Sequence, residues 1–301
     1  MASVLTLADL DRWSFEGTAL AVLGFPIKHS ISPAMHTAAL SEMAQSDERF
    51  SKWTYVRFEV PPEHLGEALR RLHAKSFYGL NLTVPHKVLA CALVEEIDPA
   101  ARPIGAVNTL RRTARGWQGF NTDGYGLAKA VQETLGLSLT DRPIVLLGAG
   151  GAARGAAVEC LQRGCQSLWI GNRTRENLDR LLSDLTPLAK NTVLRGFDPT
   201  QPDLPCPPNA LIINATSAGL KSDDPPPVDL SKLDRPAGVY DMIYNPPVTP
   251  LLAAARALGI PTANGLSMLV HQGVRALEIW SEASVPVLAM QTAAQDAMRL
   301  R

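Results

Sequence analysis

From residue 18 to residue 120, short apolar or β-rich runs alternate with stretches whose apolar residues recur every three or four positions, the pattern of a sheet covered by helices. Strands are predicted over residues 19–23, 55–60, 79–83, 106–110 and 117–120. Helices are predicted over residues 33–44 and 61–74. Each carries proline at or near its first position, where the missing N–H does no harm.

A second alternation starts after Gly136. Residues 144–147 form an uninterrupted apolar run, suited to a parallel strand buried on both faces. A helix is predicted over 152–163, a strand over 167–170, a helix over 175–185, and strands over 210–214 and 238–241. The Pro-rich stretches 198–208 and 222–236 cannot continue a helix or a central strand and are predicted to be surface loops. Residues 266–280 carry Leu266, Leu269 or Val270, Val274 and Leu277 at helical spacing. No internal repeat or low-complexity tail is present. The fold class is α/β in two domains, which 301 residues can accommodate.

Composition narrows the partners. Lys and Arg together number 29, equal to Asp and Glu, so no global field favours nucleic acid or an anionic membrane, and an acidic substrate must be held by local groups. The apolar run near the N-terminus, residues 19–25, falls far short of the ~20 residues a membrane span needs, and four acidic or basic residues precede it, unlike a signal peptide. A cytoplasmic protein is expected. Cys91, Cys160, Cys165 and Cys206 lack metal-ligand or disulfide spacing, so neither a zinc site nor a disulfide framework is expected, and they are assigned no role beyond filling buried or half-buried space.

Gly148-Ala149-Gly150-Gly151-Ala152-Ala153 lies between the predicted strand at 144–147 and the helix at 152–163. In a dinucleotide site the first glycine makes the turn, the second lets the backbone approach pyrophosphate, and a small third residue lets helix and strand pack closely. The helix N-terminus then offers its free N–H groups to phosphate. At the end of the next strand, where an NAD enzyme usually carries an acid for the ribose hydroxyls, this chain has Asn172-Arg173-Thr174-Arg175. Guanidinium groups bind a ribose phosphate that an acid would repel, so the chain favours NADP over NAD. Thr174 as a plain helix cap explains the threonine but not the missing acid.

Two further stretches, Asn81-Leu82-Thr83-Val84-Pro85-His86-Lys87 and Asn121-Thr122-Asp123-Gly124, each carry a charged group that the apolar surroundings do not explain, and together they suggest a catalytic Lys87/Asp123 pair. Lys87 as a solvated lysine in the first turn of a helix would gain nothing locally, because its charge opposes the helix dipole. A proton-handling lysine beside a nicotinamide site implies hydride transfer. A carboxylate stabilises the ammonium form while burial disfavours it, so the sequence leaves the charge of Lys87 open. Ser30 and Ser32 stand two residues apart ahead of the helix at 33–44. Ser32 suits a helix cap by itself; Ser30 does not.

The segment from Gly24 to His36, the Asn81 to Lys87 motif, Gly105-Ala106-Val107-Asn108-Thr109, Asn121 to Gly124, the glycine turn, Asn172-Arg173-Thr174, Asn214 to Gly219, Tyr240 to Tyr244 and Gly265 to Gln272 resemble, in the same order, the motifs of shikimate dehydrogenases. The resemblance runs from about residue 20 to 280. It implies NADPH-dependent reduction of 3-dehydroshikimate to shikimate, on the route to chorismate and the aromatic amino acids. It further implies that Ser30 and Ser32, helped by Tyr244, bind the substrate carboxylate, and that Thr83, Lys87, Asn108, Asp123 and Gln272 surround the ring hydroxyls. Lys87 is then the acid/base and Asp123 orients it. Thr216, Ile243, Gly265 and Met268 join the glycine turn and residues 172–175 in binding the cofactor, with Gly265 and Met268 near the nicotinamide.

The resemblance also returns the helix at 266–280 to the first domain, giving a substrate domain of residues 1–123 with 265–301 and a Rossmann-type NADP domain of residues 124–264. The implied partner is a small-molecule substrate, with no nucleic acid or membrane, in a monomer or homodimer. The chain departs from familiar members at His86, where an aromatic residue is common, and at Arg175, which either touches the ribose phosphate or faces water. A quinate/shikimate dehydrogenase with relaxed cofactor choice, a methylene-tetrahydrofolate dehydrogenase and a non-catalytic NADP-sensing protein are alternative readings. A fused dehydratase is not expected at this length.

Overall fold

Two sheets organise the computed structural model, which describes residues 3–201, 207–221 and 223–300. Its compact units comprise the described residues up to Thr122 together with those from Val270 on, and Asp123–Leu269.

The first unit contains β1 (Val4–Leu5), β2 (Thr18–Gly24), β3 (Trp53–Glu59), β4 (Gly79–Leu82), β5 (Glu96–Ile97), β6 (Thr109–Arg112) and β7 (Trp117–Phe120), with helices α1 (Ser32–Ser46), α2 (Leu65–Ala74) and the short α3 (His86–Leu89). The sheet order is β1-β3-β2-β4-β6-β7-β5. β6 is antiparallel to both its neighbours and every other pairing is parallel. β2 and β4 are apolar along almost their whole length because helices or loops cover the sheet on both sides. Leu23, Phe58, Leu65, Leu72, Phe77, Leu80 and Leu110 are among the residues that fill one core beneath it.

The second unit begins with α4 (Asp123–Leu135) and continues through β8 (Pro143–Leu147), α5 (Gly151–Gln162), β9 (Ser167–Gly171), α6 (Arg175–Ala189), β10 (Val193–Phe197), β11 (Leu211–Asn214), β12 (Gly238–Asp241), α7 (Pro250–Ala257) and β13 (Thr262–Ala263). All its strands are parallel, in the order β10-β9-β8-β11-β12-β13. Numbered from the first strand of this sheet, that is the 3-2-1-4-5-6 order of a dinucleotide-binding fold, with its switch point between β8 and β11. Helix α8 (Leu266–Ser281) follows, then α9 (Val287–Arg299), which packs on α1 within the first unit.

Several local expectations need correction. The predicted strand at 106–110 starts only at Thr109, because the Val107 N–H is donated to the Lys87 carbonyl (2.9 Å) rather than to a sheet neighbour. The predicted helix at 61–74 opens as a 3-10 turn over Pro62–His64 before α2. Ser32 is not the cap of α1: it lies inside the helix with Ile31 at the cap position, and the Ser30 hydroxyl accepts from the Ser32 N–H at 3.3 Å. Thr174 occupies the cap position of α6, but its side chain makes no capping bond. Helix α6 also runs past its predicted end, through Pro187. The loop predicted over 222–236 includes a 3-10 turn at Leu230–Lys232. Cys206 and the middle of the loop predicted over 198–208 lie outside the described residues.

Candidate active site and cofactor site

The carboxyl ends of β2, β4 and β7 lie on the same edge of the first sheet, and the amino end of β6 meets them there. Side chains that follow parallel strands collect at such an edge, the usual place for a ligand in an open α/β sheet. Ser30 and Ser32 follow β2, Thr83 and Lys87 follow β4, Asn108 precedes β6, and Thr122 follows β7.

Asn108, fully buried, ties these segments together. Its Oδ1 accepts from the Thr122 N–H (2.9 Å) and from the Thr109 hydroxyl (3.0 Å). Its Nδ2 donates to Thr122 Oγ1 (3.0 Å) and to Gln272 Oε1 on α8 (3.3 Å). Its carbonyl receives the Leu82 N–H at 2.8 Å, and its neighbour Val107 donates to the Lys87 carbonyl. The backbones of Lys87 and Thr122 are thus each fixed within one residue of Asn108, and Asp123 is the residue after Thr122. Lys87, Asp123, Ser30, Thr83 and Gln272 are half-buried, the exposure needed by groups that meet a ligand; Ser32 is buried.

The buried network continues away from this edge. Asn81 Nδ2 donates to Thr109 Oγ1 (3.1 Å) and to the Asn108 carbonyl (3.3 Å), while its Oδ1 accepts from Tyr55 Oη at 2.7 Å. Burial holds the Tyr55 phenol well above the ordinary tyrosine range. Its ring stacks on His36, with centroids 4.1 Å apart. Burial without compensation depresses the His36 pKa to about 3, so the imidazole is neutral. Arg57 braces the serine segment by donating to the carbonyls of Lys28 (2.8 Å) and Ser30 (3.3 Å), and the Glu59 carboxylate accepts from the Ile27 N–H. Tyr55 and Arg57 were not among the residues singled out from the sequence. The available signal was a buried arginine and tyrosine at alternate positions of the strand Tyr55-Val56-Arg57-Phe58, where apolar residues would suffice.

In the second unit the expected cofactor residues follow the carboxyl ends of β8, β9, β11 and β12, or lie just before α8 or in its first turn. Gly148 makes the turn after β8 with φ +111°, and a Cβ there would lie 3.1 Å from the Ala215 carbonyl across the switch point, so the position requires glycine. Gly150 caps α5 without any side-chain bond, and a Cβ built at Gly150 or Gly151 would meet nothing. Gly150, Gly151 and Ala152 are exposed, with Ala149 half-buried beside them. An uncovered helix start of this kind fits a pyrophosphate.

Asn172, Arg173, Thr174 and Arg175 follow β9. Asn172 donates to the Thr174 carbonyl (2.8 Å), Arg173 is exposed, and Arg175 Nε lies 2.8 Å from both carboxylate oxygens of Asp179. Arg175 is thereby occupied within its own helix.

Thr216 and Ile243, and Gly265 through Ile243, are arranged by a second buried cluster. The Asp241 carboxylate accepts from Asn214 Nδ2 (3.0 Å), the Ile243 N–H (3.0 Å) and the Thr249 hydroxyl (2.6 Å). Asn214 Oδ1 in turn accepts from the N–H and hydroxyl of Thr216. Burial raises the Asp241 pKa, and the Thr249, Ile243 and Asn214 bonds oppose it. Gly265 donates to the Ile243 carbonyl at 3.1 Å, and any Cβ on it would collide with the Met242 carbonyl. Tyr244 is half-buried in the segment after β12, and Met268 is half-buried in the first turn of α8.

Comparison with known proteins is consistent over nearly the whole chain. Residues 22–110 match the shikimate dehydrogenase substrate binding domain, and residues 265–295 match the shikimate 5'-dehydrogenase C-terminal domain. Shikimate dehydrogenase (NADP(+)) of Geobacter sp. strain M21 is 38% identical over 286 residues, covering 90% of this chain and 92% of that protein. Shikimate 5-dehydrogenase of Thermus thermophilus, solved with NADP(H) and shikimate, superposes with a TM-score of 0.81 at 32% identity, over 93% of this chain and 99% of that one. The ligand-free 5-ketofructose reductase of Gluconobacter sp. strain CHM43 superposes with a TM-score of 0.83 at 29% identity, over 94% and 99% of the two chains. This chain belongs to the shikimate dehydrogenase family.

Proposed function

We propose that the protein is an NADP-dependent shikimate dehydrogenase, catalysing the reversible NADPH-dependent reduction of 3-dehydroshikimate to shikimate. The observation that carries the reading is the Asn108 junction, which fixes the Lys87 and Thr122 backbones at one sheet edge. NADP supplies or accepts the hydride when bound. The uncovered start of α5 receives its pyrophosphate, Arg173 its ribose phosphate, and Thr216, Ile243, Gly265 and Met268 the nicotinamide end. Ser30 and Ser32, with Tyr244, hold the substrate carboxylate. Thr83, Asn108 and Gln272 hold the ring hydroxyls. Lys87 gives a proton to the forming alkoxide and takes it back in the reverse direction, with Asp123 orienting the amine.

In this reading residues 1–123 with 265–301 carry the substrate, residues 124–264 carry the cofactor, and the enzyme works in the cytoplasm as a monomer or homodimer. The structural likeness to a 5-ketofructose reductase makes substrate choice the point to test. Reduction of NADP and of NAD is followed spectrophotometrically with shikimate and with quinate, and oxidation of NADPH with 5-ketofructose. Shikimate with NADP is expected to give the highest kcat/KM, and a higher value for quinate or 5-ketofructose would overturn the proposal. Lys87→Ala is expected to lower kcat by about 10²- to 10⁴-fold with the NADP KM unchanged. Near-normal turnover would remove Lys87 from the acid/base role.

A further inference from the structure

Two side chains of β3 grip the turn that carries Ser30. Arg57 is 6% exposed and stands level with Val4 on β1 and Val22 on β2, so its neighbours across the sheet are apolar. Its guanidinium reaches to the turn after β2, where Nη1 donates to the Lys28 carbonyl at 2.8 Å and to the Ser30 carbonyl at 3.3 Å. Two residues along the strand, and so on the same face, the Glu59 carboxylate accepts from the Ile27 N–H at 3.1 Å. The Ser30 N–H closes the turn by donating to the Ile27 carbonyl at 2.9 Å. Ile27 and Ile31 are buried at its two ends, while Lys28 and His29 are exposed between them.

These bonds decide which groups of the turn remain for a ligand. The C=O and N–H of a planar trans peptide point in opposite directions, and the Ser30–Ile31 peptide is trans. With the Ser30 carbonyl drawn toward Arg57, the Ile31 N–H faces away from the guanidinium, and it has no acceptor among the described residues. Ser30 Oγ uses a lone pair to accept from the Ser32 N–H at 3.3 Å, which leaves its single proton to donate. Two donors on adjacent residues are thus kept for an anionic oxygen, and the carbonyls that would repel it are turned toward β3.

We propose that Arg57 is a positioning residue for recognition of the substrate carboxylate. It holds the Lys28 and Ser30 carbonyls away from the anion and keeps the Ser30 hydroxyl and the Ile31 N–H available to it. The inference rests on the assignment of Ser30 and Ser32 to the substrate carboxylate made above. Arg57 acts through the turn and does not touch substrate. Without its guanidinium the Ser30–Ile31 peptide is released to rotate, which brings a carbonyl toward the carboxylate. The loss therefore falls on the negative charge of the substrate and spares recognition of NADP.

The experiment compares shikimate with its methyl ester, which keeps the ring hydroxyls and lacks the charge, in steady-state oxidation by the unaltered enzyme, Arg57→Met and Arg57→Lys. Arg57→Met keeps an apolar stem without a donor. It is expected to raise the shikimate KM roughly ten- to a hundredfold, as loss of a charge-assisted hydrogen bond would, with kcat within about threefold and the NADP KM within about twofold of the parent. The kcat/KM for the methyl ester is expected to fall by no more than about threefold, so the preference for the free acid shrinks. Lysine retains a charged donor but not the reach of the guanidinium, and its shikimate KM is expected to lie between those of the parent and Arg57→Met.

An unchanged shikimate KM in Arg57→Met, or a loss toward the ester as large as that toward the acid, would overturn the inference, because a merely structural role weakens both substrates alike. If Arg57→Met does not fold, Arg57→Lys carries the same test, and an unchanged preference for the acid in that variant would overturn the inference. Failure of the unaltered enzyme to use shikimate at all is a separate result. It would overturn the functional assignment, and this inference with it.

Discussion

The hydrogen-bonded cluster around Asn108 is built from neutral groups, whereas its counterpart around Asp241 is built on a carboxylate. Counting donors and acceptors explains the difference. Asn108 must both accept from Thr109 and Thr122 and donate to Thr122 and Gln272, which only an amide can do. Asp241 faces donors alone, from Asn214, Ile243 and Thr249, so an acceptor-only side chain fits even though burial penalises its charge. The first cluster fixes groups assigned to the substrate and the second fixes the loops assigned to the nicotinamide. The pH responses are opposite in sign. Asp241 has a raised pKa, so its contribution to stability is fully present below the ordinary carboxylate range and is lost as pH rises through the folded value. His36, beside the neutral cluster, has a depressed pKa. Its contribution is present above the unfolded value near ~6.5 and is lost as pH falls toward about 3.

The largest expected effect tests the donor count. Asp241→Ala leaves three buried donors without an acceptor and is expected to cost about 3 kcal/mol in urea unfolding. Asp241→Asn can keep Oδ1 for Asn214 and Ile243 while Thr249 turns to accept, and is expected to cost about 1 kcal/mol or less. If asparagine proves as damaging as alanine, the charge itself holds the loops and the comparison fails.

Next in size is the acid response of the first unit. Between about pH 6.5 and 4.5 the protein is expected to lose about 2 to 3 kcal/mol of stability through His36, and His36→Phe, which keeps the stack on Tyr55, should abolish that slope. Chemical denaturation across this range provides the check. A slope unchanged in the variant would place the sensitivity elsewhere.

A smaller effect separates the two arginines after β9. Arg173→Ala is expected to raise the NADP KM roughly tenfold or more, through loss of about 1.5 to 3 kcal/mol of charge-assisted hydrogen bonding, while leaving the NAD KM and the shikimate KM unchanged. The smallest change is expected for Arg175→Ala, with the NADP KM within about threefold of the parent, because Asp179 already occupies this exposed guanidinium. A larger loss at Arg175 than at Arg173 would reverse the assignment.

Much of this arrangement was legible in the chain. The apolar run before Gly148 and the glycine spacing after it announced β8, the turn and α5, because parallel strands buried on both faces and glycine-dependent turns leave local signatures. The Lys87 and Asp123 motifs stood out because charges in apolar surroundings need a reason. Helix α4 was not anticipated: glycines at 124 and 126 interrupt its first turn, and its apolar face at Leu127, Ala130 and Val131 is short. The short edge strands β1, β5 and β13 have too few residues to show a period.

The sequence by itself determined which residues can do chemistry, since the identity of a lysine, a serine pair or a glycine turn carries its own donors, charges and conformational freedom. Tertiary structure alone decided which of them are joined. Asn81, Asn108, Thr122 and Gln272 acquire a common purpose only when strand pairing and α8 bring their buried dipoles within hydrogen-bonding distance. The same holds for Tyr55, whose phenol is an ordinary strand residue until burial pairs it with Asn81. Such pairing depends on contacts between residues far apart in the chain, and no local pattern encodes it.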